Sequence, residues 1–116
     1  MKPPADTSLP FFAYGLFRPG QLAYFQIRDY VIRIDDGEAV RGELLIRDGL
    51  PIIDESGRGN MDGAVLHFRE DVAIDAYDKI AGLEPDKQYR WTEKAVETGR
   101  VNILVGISPS KGSFPL

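Results

Sequence analysis

A single stretch of this chain carries a sustained helical repeat, and short alternating segments bounded by glycine or proline surround it. From Asp71 to about Ala81, the residues Ala73, Tyr77, Ile80 and Ala81 fall on one helical face. Asp71 suits the positive N-terminal end and Gly82 the C′ position. Elsewhere the period is two. Across Ala39–Arg47, Val40, Gly42, Leu44 and Ile46 alternate with Arg41, Glu43, Leu45 and Arg47, which reads as one half-buried strand. Asp48-Gly49 turns it into Leu50-Pro51-Ile52-Ile53, and Gly63–Arg69 follows the loop Ser56–Asn60. Trp91–Glu97 and Val101–Ile107 flank Thr98-Gly99, a hairpin signal. Pro10–Tyr14 is a short buried strand halted by Gly15, and residues 21–30 hold a short helix on Leu22, Phe25 and Asp29. Many strands around one main helix predict an α+β fold, a small mixed β-barrel or strongly curved sheet.

The length of 116 residues sets one domain, large enough to fold unaided. Residues 1–9, with two prolines, read as a flexible leader, 10–108 as the domain, and 109–116 as a loose C-terminal segment. No cysteine is present, which removes disulfides, a thiolate nucleophile and Cys-ligated zinc. A single histidine, His67, removes an ordinary His-rich metal site, leaving only an all-carboxylate one open. Net charge is −4 with pI about 4.9, the reverse of a nucleic-acid footprint. No apolar run approaches the ~20 residues that span a bilayer, and the N-terminus lacks the apolar core of a signal peptide. The expectation is a cytoplasmic domain with no cofactor or metal. Its chemistry would rest on carboxylates, tyrosines or backbone amides.

The segment Phe12-Ala13-Tyr14-Gly15-Leu16-Phe17-Arg18-Pro19-Gly20 is the one most suited to binding. A strand ending in a glycine-bounded loop can bring several backbone N–H groups onto one small anion. An aromatic strand followed by a plain turn has the same pattern. His67 reads as a surface or partly packed strand residue and Trp91 as packing. The Arg58 loop lacks the Lys-Ser/Thr of a phosphate cradle.

That segment resembles the Tyr-Gly-(Ser/Thr)-Leu-Arg-x-Gly signature of the γ-glutamylcyclotransferase-like family. Further likenesses follow in order. Val40-Arg41-Gly42-Glu43-Leu44 is similar to the family's first Gly-x-Leu strand, and Gly49-Leu50-Pro51 to its Tyr-Pro segment. Asp62-Gly63-Ala64-Val65 resembles the second Gly-Glu-Leu strand, Tyr77–Gly82 the Leu-Asp-x-x-Glu-Gly helix end, and Tyr89-Arg90 the Tyr-Arg pair. Together these cover roughly residues 11–107. The resemblance implies a compact β-barrel that cyclises a γ-glutamyl amine or peptide to 5-oxoproline without a cofactor. The loop Tyr14, Gly15, Leu16, Phe17 and Arg18 would bind the glutamyl head, Tyr89 would line the pocket, and one carboxylate would move the proton.

Three positions depart from the pattern. Leu16 stands where the signature has Ser or Thr, with Phe17 in place of its Leu; Ala64 replaces a Glu; and Ala81 occupies the catalytic Glu position. Glu84, three residues on and just before Pro85, is the preferred substitute. Asp78, one turn before Ala81, is the runner-up, and a shifted alignment on Ile74–Asp78 would place it in the position. That shift lengthens the gap to Tyr89. The alternative is an inactive family member that binds a small ligand or a protein.

Overall fold

The computed structural model describes residues 1–85 and 87–115. Strand β1 (Phe11–Ala13) leads through the glycine loop into α1 (Tyr24–Ile27) and a 3-10 turn, Arg28–Tyr30. Then come β2 (Val31–Arg41), β3 (Glu43–Arg47), β4 (Leu50–Asp54) and β5 (Asn60–Phe68). A 3-10 turn, Glu70–Val72, precedes α2 (Ala73–Leu83), and β6 (Tyr89–Val96), β7 (Gly99–Gly106) and β8 (Ser113–Pro115) complete the chain. The α+β class holds. A five-stranded sheet runs β2-β5-β1-β7-β6, with β1 and β7 parallel and the other neighbours antiparallel. A three-stranded antiparallel sheet runs β4-β3-β8. Neither closes on itself among the described residues, so the barrel expected from the sequence is two separate sheets.

The central strands of the larger sheet, β5, β1 and β7, are buried on both faces. Phe11, Ala13, Ala64 and Leu66 share one cluster with Leu104 and with Tyr77 and Ile80 of α2. Phe12 and Val65 share the other with Val40, Ile53 and Val101. Tyr77 and Ile80 are both fully buried, each worth about 1.5–3 kcal/mol of apolar burial. Tyr77 also donates its hydroxyl to Leu9 O at 2.5 Å.

Several boundaries differ from the sequence reading. The run Ala39–Arg47 is not one strand: it breaks at Gly42 (φ 156°), where the chain leaves one sheet for the other. A Cβ there would meet Ile53 Cγ2 at 2.8 Å and Asp54 O at 3.2 Å, so the corner needs glycine. The alternation reverses across it, and Leu45 and Arg47, rather than Leu44 and Ile46, are the buried residues of β3. Gly82 lies inside α2, which ends instead as Glu84 turns extended (φ −96°, ψ 140°). Glu97-Thr98, between paired Val96 and Gly99, makes the last hairpin turn rather than Thr98-Gly99. Asp48-Gly49 is the expected two-residue turn, both residues having positive φ (52° and 77°).

The ends lie on the body. Asn102 Nδ2 donates to Asp6 O at 2.7 Å, and Trp91 Nε1 to Lys2 O at 2.8 Å. The segment read as a loose C-terminus supplies β8, whose Phe114 pairs with Ile46. Leu116 lies outside the described residues.

Candidate functional site

The glycine loop, the start of β4, the end of α2 and the start of β6 meet around one small cavity. Phe11, Phe12, Phe17, Leu50 and Leu104 form its apolar wall, and Tyr14, Gly15, Leu16, Pro51, Glu84 and Tyr89 complete it. Its volume is ≈ 30 Å³, room for one or two water molecules. An open cleft of ≈ 460 Å³ lies against the same loop. It shares Tyr14, Gly15, Leu16 and Pro51 with the cavity and adds Arg18, Pro19 and Gln21.

Local sequence explains why the loop sits here. Gly15 passes so close to β4 that a Cβ would stand 2.8 Å from Pro51 Cγ. Arg18 N–H donates to Gly15 O at 3.0 Å, and the Ala23 and Tyr24 amides cap Leu16 O at 3.0 and 3.2 Å. The N–H groups of Gly15, Leu16 and Phe17 have no acceptor among the described residues. Three donors on consecutive cavity-lining residues are therefore uncommitted.

Both tyrosines are committed. Tyr14 donates to Leu104 O at 2.5 Å, and Tyr89 to Pro51 O at 2.7 Å. Burial pushes the Tyr14 phenol well above its ordinary range, and the nearby Tyr89 and Glu84 add to the shift. Burial also raises Tyr89, with Glu84 adding and Arg47 opposing. They are neutral struts rather than bases. Glu84 differs: its carboxyl has no hydrogen-bond partner among the described residues, and burial pushes it up to about 7. A half-buried acid that titrates near neutrality in a mostly apolar cavity can both accept and return a proton.

The structure thus brings together Tyr14, Gly15, Leu16, Phe17, Tyr89 and Glu84, and sets Arg18 on the adjoining cleft. Asp78 does not join them. It is exposed on α2 and lines neither space. Ala81 is buried under the N-terminal segment, its carbonyl 3.5 Å from the Met1 ammonium, and does not line the cavity either. His67 of β5 pairs with Asp35 of the edge strand β2 at 2.7 Å and lines neither space. No group of three or more His, Cys, Asp or Glu residues among those described could hold a metal.

Sequence reasoning missed the apolar back wall of Leu50 and Leu104, and Gln21 in the cleft. The Leu50 position was visible in the Gly49-Leu50-Pro51 resemblance; Leu104 and Gln21 carried no signal. Arg47 was missed as well. It is buried, donating Nε to Gln88 Oε1 (2.6 Å), Nη2 to Gln88 O (3.0 Å), and Nη1 to Ile107 O (2.6 Å) and Ser108 O (2.9 Å). It fixes Gln88, and with it the entry to β6 next to Tyr89.

No protein-family model matches the chain, and no curated protein does. Two solved structures share the fold. The uncharacterized protein PH0828 from Pyrococcus horikoshii superposes with a TM-score of 0.70 at 19% identity, over 94% of this chain and 82% of that one. The Kluyveromyces lactis allophanate hydrolase gives a TM-score of 0.65 at 10% identity, over 94% of this chain but 19% of the hydrolase. At such identities the likeness is one of fold. Among the described residues no helix is long and apolar enough to cross a membrane.

Proposed function

We propose that this chain is a γ-glutamylcyclotransferase-like enzyme that converts a γ-glutamyl amine or peptide to 5-oxoproline and the free amine. The observation that carries the reading is Glu84: an unpaired carboxyl pushed up to about 7, sharing a cavity with a loop of uncommitted N–H groups. The glutamyl head lies along Tyr14–Leu16 and Pro51, the walls common to cavity and cleft, because the cavity alone is too small for it. Its α-amine attacks its own γ-carbonyl carbon, forming the ring C–N bond as the C–N bond to the leaving amine breaks. Glu84 accepts the proton released by the attacking amine and delivers it to the leaving nitrogen, so nothing else is consumed. Held proximity supplies much of the acceleration, since the nucleophile is part of the substrate. The Gly15–Phe17 amides stabilise the oxyanion that develops on the carbonyl. Backbone donors do this without the Ser or Thr that Leu16 replaces.

The chemistry calls for no cofactor, and we place it in the cytoplasm. The catalytic Glu expected at Ala81 is supplied three residues later, where α2 ends and the chain crosses the cavity. Incubation with a panel of γ-glutamyl amides tests this: 5-oxoproline is released by the wild type and not by Glu84→Gln. Release by neither sinks the enzyme reading and leaves the ligand-binding one. Equal release by both removes Glu84 from the reaction.

A further inference from the structure

On the cyclotransferase reading, we propose that the outer cleft receives the leaving group and that Arg18 selects one bearing a carboxylate. Arg18 differs from its loop neighbours in two ways. Its backbone N–H is used up by Gly15 O, so only the side chain is available to a ligand. It also lines the cleft without lining the cavity that holds Glu84.

The cleft has a defined electrostatic character. Of its lining residues Tyr14, Gly15, Leu16, Arg18, Pro19, Gln21 and Pro51, only Arg18 is charged. Among the described residues Arg18 forms no ion pair and no side-chain hydrogen bond. Elsewhere on the surface, Arg33, Arg90 and Arg100 are each paired with a carboxylate. On a molecule of net charge −4, an unpaired guanidinium beside an uncharged cleft is a local attractor for anions. A guanidinium presents parallel donors that match a carboxylate, and Gln21 adds an amide within the same cleft. A γ-glutamyl amino acid or peptide satisfies this arrangement. A γ-glutamyl polyamine would place an ammonium against it.

The test compares kcat/KM for γ-glutamylglycine, γ-glutamylethylamide and mono-γ-glutamyl-1,4-diaminobutane, which carry anionic, neutral and cationic leaving groups. The wild type favours the anion over the neutral amide by about tenfold, with the cation slowest. Arg18→Gln brings the three within about threefold of one another, Arg18→Lys restores part of the preference, and Arg18→Glu inverts the order of anion and cation. Added salt erodes the preference of the wild type and of Arg18→Lys, and leaves Arg18→Gln as it was. If Arg18→Gln slows all three substrates equally, the guanidinium holds the glutamyl head and the inference falls. Equal wild-type rates on the three overturn it while leaving the cyclotransferase reading intact. Turnover of none overturns that reading and this inference with it.

Discussion

Two ionisable groups near Tyr89, one buried and one half-buried, are treated by the fold in opposite ways. Arg47 is buried, yet its guanidinium is surrounded by the carbonyls of Gln88, Ile107 and Ser108 and by the Gln88 side chain. Glu84, on the other side, is half-buried with no partner among the described residues. A buried charge that is fully hydrogen-bonded is a strut, since its removal orphans every group around it. A carboxyl left unpaired in an apolar cavity raises the energy of its own charged form, which adds nothing to stability and a great deal to reactivity. The difference separates a group that holds this molecule together from one left free to exchange a proton.

The largest effect belongs to Glu84→Gln, expected to lower kcat by at least about 10²-fold without loss of thermal stability, as activity and melting assays on one sample would show. Arg47→Met should do the reverse in kind, removing about 2–4 kcal/mol of unfolding free energy in urea denaturation. A loss under about 1 kcal/mol would show that the carbonyl cage is not a strut. Smaller is the pH dependence of stability. With Glu84 raised from 4.5 to about 7, the folded chain keeps a proton there that the unfolded chain has released. Its contribution to stability therefore falls as pH rises from about 4.5 to about 7, then levels. For a half-exposed group the step is on the order of 1 kcal/mol, and it should vanish in Glu84→Gln. Tyr89→Phe removes only the bond to Pro51 O and should cost about 0.5–1.5 kcal/mol in denaturation. Asp78→Asn, on the exposed side of α2, should change stability by less than about 0.5 kcal/mol and leave turnover as it was.

How much of this was legible in the sequence depended on the range of the interaction involved. The α2 repeat, the Asp48-Gly49 turn and the buried Phe11–Ala13 strand are written in neighbouring residues, and they hold. The corner at Gly42 was not, because an unbroken alternation continues through it. Only the approach of Ile53 and Asp54, eleven and twelve residues away, makes glycine necessary and flips the buried face. β8 was hidden for a similar reason: a turn-rich tail gains a strand only because β3 offers it an edge. For the candidate site, the loop and the carboxylate just past the helix were legible because each lies within a short segment, and the structure sets both on one cavity. Arg47 looked like one more polar position in an alternating strand, and nothing local distinguishes a caged arginine from a solvated one.

The chemistry proposed for the cavity turns on the ionisation of a single side chain. A carbon-13 NMR titration of the Glu84 carboxyl, assigned by its loss in Glu84→Gln, measures it in the folded protein. The expected midpoint is about 7, matched by a rising limb of kcat/KM at the same pH as the carboxylate form becomes available to take the proton. A midpoint near the ordinary 4.5 would mean that Glu84 is a solvated carboxylate, and the contrast with Arg47 would lose its meaning.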